Sequence, residues 1–204
     1  PEVVQKLLPT GFRPKCVEGF AIAGICMIRL EEIRPKGLPA WVGISSENTA
    51  HRIAVEWRDG ASTKEGVFVP RRDTDSKCNH FAGGRIFPGV HHLAKFDVKD
   101  EEGELRLKVL PKRATEMLVD LHVDETSAFP EDSIFPSIEA SSEFFEAGCV
   151  GYSSRPNSCV LDGLTLHVPD WQVSALHVRH VASSYFDNPE LFPSESITLD
   201  HALL

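Results

Sequence analysis

The sequence predicts a mainly β protein of the α+β kind, a barrel-like and mostly antiparallel sheet with short helices packed at its ends. Three observations carry this expectation. Several short apolar runs recur with a period of two, most strictly Met117, Val119, Leu121 and Val123, with Asp120, His122 and Asp124 between them and beyond. Clusters of Gly, Pro, Asp and Ser punctuate the chain between those runs. The helical patterns are few and brief. A chain of 204 residues lies within the range of one β domain and can bury a core without covalent staples. No linker or internal repeat divides it, so residues 1–204 read as a single domain.

From the N-terminus, Pro1 to Leu8 reads as a short helix, with proline at a tolerated first position, stopped by the Pro9-Thr10-Gly11 turn. Val17 to Leu30 (VEGFAIAGICMIRL) is the strongest strand signal, apolar on both alternating faces and so expected to be buried on both. Gly19 and Gly24 suggest bends within it. Arg34 to Pro39 is a loop. Ala50 to Trp57 and Gly66 to Arg71 read as strands flanking the polar stretch Arg58 to Glu65. Thr74-Asp75-Ser76 offers cap oxygens for a helix over about Ser76 to Ala82, which Gly83-Gly84 ends.

His92 to Val98 and Glu104 to Leu110 form a hairpin around Asp100 to Gly103, and Met117 to Val123 is the next strand. Ala128 to Ser137 is a Pro-containing loop and Ser141 to Ala147 a short helix. Leu164 to Val168 and Trp171 to Val181 are further strands around Pro169-Asp170, Asn188 to Pro193 is loop, and Ile197 to Leu204 fits no single pattern. The alternation places Ile22, Ile25, Ile28, Val55, Phe68, Phe96, Val98, Val119 and Leu121 in the core.

The formal charge of −9, from 30 acidic and 21 basic residues, runs against a nucleic-acid partner, because phosphate neutralisation needs a basic surface. No run approaches the ~18 apolar residues of a membrane span, and no basic n-region precedes an apolar stretch. The expectation is a cytoplasmic protein with no membrane partner. Five cysteines (Cys16, Cys26, Cys78, Cys149 and Cys159) are scattered and odd in number, with no C-x-x-C pair, unlike a disulfide framework or a structural zinc site. Cys16 and Cys26 read as small core residues. The chain starts at Pro1 rather than at methionine, which suggests residues upstream. There is no Gly-x-Ser-x-Gly elbow, P-loop or dinucleotide fingerprint, and no cofactor is expected.

The residues become specific over Gly66 to Phe96, GVFVPRRDTDSKCNHFAGGRIFPGVHHLAKF. With PEVVQKLLPTGFRPK, IRPKGLPAWVG and AHRIAVEW, this segment resembles the acetoacetate-decarboxylase-like superfamily, and within it the large uncharacterised bacterial branch more than the decarboxylases. The resemblance covers roughly the first half of the chain and implies the fold of that superfamily. Its decarboxylases carry Gly-Arg-Glu…Gly-Phe-Pro-Lys-Lys, whose first lysine forms a Schiff base with a β-keto acid, its amine kept nucleophilic by desolvation. The matching run here is Gly84-Arg85-Ile86…Gly89-Val90-His91-His92. Anchoring on Arg85 and Gly89 sets His92 at the lysine position; anchoring on Leu93-Ala94 sets His91 there. Strand alternation favours His92, which shares a face with Ala94, Phe96 and Val98, whereas Lys95 faces solvent. An imidazole forms no stable imine with a ketone, so the resemblance implies the fold without the Schiff-base chemistry. Ile86 also stands where that family has glutamate.

Candidate site residues follow. His92 as acid/base, Arg85 as carboxylate anchor and Glu56 are the candidate catalytic set; Arg72, Asp73 and His51 are candidate ligand contacts, with Arg52 on the same strand as His51 and Glu56. An arginine fork and a histidine in a barrel interior suit an anionic or carbonyl-bearing organic acid. Two blander assignments stand beside this one: Arg72 and Asp73 pair with each other to brace a turn, and His92 is a satisfied core group. A metal is not expected, since His91 and His92 face opposite ways along a strand and Cys78 and His80 point apart on a helix. Three functions remain open at this point: a small-molecule-binding barrel, a lyase or isomerase working without an imine, and a structural homo-oligomer with a filled core.

Overall fold

The β-rich expectation holds, and the sheet is curled into half a barrel. The structure is a computed structural model that describes residues 1–200 apart from Thr115, Ser127, Asn157, Cys159 and Pro169. Cys159, Pro169 of the expected turn and the end of the Ile197–Leu204 tail therefore lie outside the described residues. The strands are β1 (Phe12–Pro14), β2 (Cys16–Val17), β3 (Phe20–Ala21), β4 (Ala23–Ile33), β5 (Ile44–Asp59), β6 (Ser62–Thr74), β7 (His91–Glu101), β8 (Glu104–Pro111), β9 (Val119–Thr126), β10 (Val150–Ser154), β11 (Leu161–Thr165) and β12 (Ala175–Ser183). The helices are α1 (Glu2–Gln5), α2 (Lys77–Ala82) and α3 (Ile138–Glu146).

The main sheet runs β1-β5-β6-β7-β8-β9-β12, with β4 on β5, β10 on β6 and β11 on β10. Most pairs are antiparallel, as expected, but β6–β7 and β6–β10 are parallel. Parallel neighbours need a crossover, and α2 with the loop after it supplies the one from β6 to β7. Ser76 caps that helix, its Oγ accepting from the Asn79 N–H at 3.2 Å. The loop then turns through Gly84 and Gly89, both at positive φ. A Cβ at Gly89 would stand 2.8 Å from Ser153 Oγ, so glycine is required there twice over.

Two apolar clusters fill the sheet. One joins Ala94, Leu107, Val109, Val119, Leu121, Val123 and Leu176; the other joins Val4, Phe12, Ile53, Val55 and Phe68. Val55, Phe68, Val119 and Leu121 are thus buried as expected. Phe96 and Val98 are only partly buried, packing on the rim of the first cluster.

The single buried strand expected over Val17–Leu30 is instead three pieces. Glu18 and Gly19, both at positive φ, turn β2 back onto β3, and β4 follows. Among the described residues β4 pairs with β5 alone, which leaves one of its edges open; Ile25 and Ile28 on it, and Ile22 just before it, are half-buried rather than enclosed. Cys16, expected in the core, is exposed, and Cys26 is half-buried. Met117 precedes β9 and is exposed rather than facing in. The strand expected over Leu164–Val168 begins earlier, at Leu161, because it pairs with β10, which the sequence did not reveal.

Candidate functional site

Register across β4, β5, β6 and β7 sorts the polar residues into two rows. Cys26 is opposite Ala50, Ala50 opposite Arg72, and Arg72 opposite His91. One step along, Met27, Thr49, Asp73 and His92 stand in line. Directly opposed residues share a face and adjacent ones alternate, so the two rows lie on opposite faces of the sheet. His91 and His92 therefore separate, as strand alternation implies.

On the second face, Asp73 is fully buried and is held by Arg71, whose Nε donates to Oδ2 at 2.8 Å and whose Nη2 donates to Oδ1 at 3.0 Å. The expected Arg72–Asp73 brace is thus corrected: a residue two along a strand shares its face, and an adjacent one does not. His51, also fully buried, has Nε2 3.2 Å from Ser183 Oγ and packs against Tyr185 and Phe186. Burial, and then the nearby Arg71 cation, lowers its pKa to about 4 and keeps the ring neutral. His92 stands at the rim and is exposed rather than enclosed. Its pKa is lowered by partial burial, an effect that Asp73 opposes.

The other face holds two arginines. Arg52 follows His51 and is opposite Gly24; Arg72 lies one strand over. Arg72 donates from Nε at 3.3 Å and from Nη2 at 3.1 Å to Ser153 Oγ, which in turn donates to the Val69 carbonyl. Burial first, and then the Arg52 charge, lowers the Arg72 pKa to about 10. Among the described residues, neither guanidinium has a carboxylate within ion-pair distance, and the buried Arg52 Nε has no hydrogen-bond partner. The pair borders a shallow, solvent-open depression lined also by Val67, Val69, Leu164 and Leu166, with Gly148, Cys149 and Gly151.

A β-bulge helps to build this wall. Between His51–Arg71 and Ile53–Phe68, the residues Val69 and Pro70 of β6 oppose Arg52 alone. The extra residue resets the alternation, so Val69 and Arg72, three apart, line the same depression. Proline, with no N–H to offer a ladder, is suited to such a position. Cys26 lies beside the pair; burial raises its pKa, and Arg52 and Arg72 oppose the rise.

Arg85 and Glu56 stand elsewhere. Arg85 is on the exposed loop after α2, where its Nη1 donates to the Phe81 carbonyl at 2.7 Å and its guanidinium stacks over the Phe81 ring. It shares no partner with His92, contrary to the expected common cavity. The Gly83-Gly84 turn carries the chain around the end of α2. Glu56 lies toward the far end of β5, in an ion pair with Arg13 at 2.9 Å. The sequence named Arg72 and noted Arg52 but missed Arg71 and Ser153. Arg71 differs from Arg72 only in parity along β6, and Ser153 belongs to the unforeseen β10. Ligand atoms of Glu104, His122 and Asp124 also lie within 4.8 Å of one another, on neighbouring strands. Arg106 and Arg179 already pair with those carboxylates, which makes the group a solvated charge ladder.

Comparison with known proteins agrees with this architecture. A family model described as "Uncharacterized conserved protein (COG2071)" matches residues 1–201. No curated protein matches. Among solved structures, the chain is similar to acetoacetate decarboxylase from Legionella pneumophila, with TM-score 0.61 and 15% identity, covering 100% of this chain and 76% of that one. It is also similar to an acetoacetate-decarboxylase-like enzyme from Sphingomonas wittichii, with TM-score 0.57 and 15% identity, covering 100% of this chain and 80% of that one. At such identity the likeness establishes the fold alone.

Proposed function

The chain belongs to that family of uncharacterised conserved proteins, and from its site we propose that it is a cytoplasmic small-molecule-binding protein that holds an organic anion between Arg52 and Arg72. One observation carries this reading: two neighbouring, half-buried guanidiniums line an open depression and, among the described residues, have no carboxylate within ion-pair distance. Like charges drawn partly out of water repel each other and lose hydration, and an anion bridging them offsets both costs. A carboxylate suits the geometry, because it offers two oxygens to two planar forks. Ser153 holds Arg72 in place, so little side-chain freedom is lost on binding. The four described cysteines are free of disulfides, in keeping with a reducing compartment.

This reading needs no imine, since either anchoring of the resemblance sets a histidine, His92 or His91, at the lysine position of the decarboxylases. Calorimetric titration with carboxylates tests the site. Arg72→Met should weaken binding by about 1.5–3 kcal/mol, the scale of hydrogen bonds to a charged group. Arg85→Met, remote from the pair, should leave affinity unchanged. The reverse pattern would overturn the assignment.

A second reading has one observation in its favour. His92 is directly opposite the buried Asp73, and a histidine beside a carboxylate is an arrangement that serves acid–base catalysis. An isomerase or lyase of that kind would use the face of Arg71 and Asp73, not Arg85, and His92→Asn would abolish turnover while leaving anion affinity at Arg72 intact.

A further inference from the structure

We infer that the ligand of the Arg52–Arg72 depression is an amphipathic monocarboxylate, its head on the two guanidiniums and a short aliphatic tail along Val67, Val69, Leu164 and Leu166. The inference rests on the proposed anion site and adds the chemical class of its occupant. Arg52 and Arg72 line the depression together with four aliphatic side chains and Cys149. Leu164 and Leu166 are 42% and 43% exposed, so they present apolar surface beside the cations rather than serving the core.

Two glycines also line the depression. A Cβ at Gly151 would lie 3.6 Å from Val67 Cγ2 and 3.9 Å from Arg72 Nη2, filling the step from tail wall to head site. A Cβ at Gly148 would press on Val67 Cγ1 at 3.2 Å. A second carboxylate on the ligand would lie beside valines and leucines rather than beside a cation, which disfavours dicarboxylates. Inorganic phosphate would satisfy the guanidiniums but leave the aliphatic wall uncovered.

The experiment is calorimetric titration of the full chain with acetate, butanoate, hexanoate, succinate and inorganic phosphate. The expected result is tighter binding along acetate, butanoate and hexanoate, by about three- to fourfold for each methylene that reaches the wall, with succinate and phosphate weaker than hexanoate. Leu164→Ser and Leu166→Ser, at half-exposed positions, should flatten this dependence. Gly151→Ala, which meets only ordinary contacts, should weaken hexanoate more than acetate. A flat chain-length series, or phosphate or succinate as the tightest ligand, overturns the amphipathic inference and leaves the anion site standing. Binding of none of the five, or binding indifferent to Arg52→Met and Arg72→Met, overturns both.

Discussion

His51 has no exposed surface, yet it carries a titratable ring, and its neutrality is enforced by burial and by the Arg71 cation. The sign of the consequence follows from linkage. The ordinary histidine pKa of 6.5 applies to the unfolded chain, and about 4 applies to the folded one. Between those values the unfolded chain holds a proton that the folded chain rejects, so stability rises with pH across that window. The folded state is free of this penalty above about pH 6.5 and loses on the order of 3 kcal/mol as the pH falls to 4. Urea unfolding of the parent and of His51→Gln at pH 7.5 and 4.5 measures it. The parent should lose the larger share of its stability at the lower pH; parallel losses would show that His51 is not the sensing group. The rim histidine makes a chemical prediction of its own. Borohydride added with acetoacetate is expected to trap no adduct, because both anchorings of the resemblance put a histidine, His92 or His91, where the decarboxylases have the Schiff-base lysine. A keto-acid-dependent mass increase on Lys95 or any other lysine would sink the imine-free reading.

Strands that look alike in sequence differ once their neighbours are known. Val17–Leu30 is as apolar as any segment in the chain, but β4 has a strand partner on one side only, and Ile28 is half-buried. Leu121, on β9 between β8 and β12, is 7% exposed and packs inside the larger cluster. Leu121→Ala should therefore cost about 2–5 kcal/mol, and Ile28→Ala less, because part of its side chain stays in contact with water. Equal costs in denaturant unfolding would mean that the open edge of β4 is covered in solution. The β-bulge in β6 is the other element whose consequence exceeds its length, since it turns Val69 toward Arg72. Nothing but Pro70 hints at it in the sequence, and proline alone marks equally a turn or an edge.

At the scale of the molecule, the sequence by itself determined the class. The period of two in Val119, Leu121 and Val123, the hairpin signal at Glu102-Gly103 and the cap at Ser76 are local, and local patterns act through backbone geometry and side-chain burial within a few residues. The run from Gly66 to Phe96 likewise pointed to the family fold, because it is the crossover that sets β6 beside β7. The tertiary structure alone decided which charges meet. Arg71 and Arg72 are neighbours in the chain but face opposite sides of the sheet, one closed onto Asp73 and the other open beside Arg52. Ser153 reaches Arg72 from 81 residues away, on a strand too short and polar to announce itself. Parity along a bulged strand, and pairing between segments distant in the chain, depend on register. Register is fixed by the sheet as a whole, where shifting one strand by a residue would turn its buried face to water.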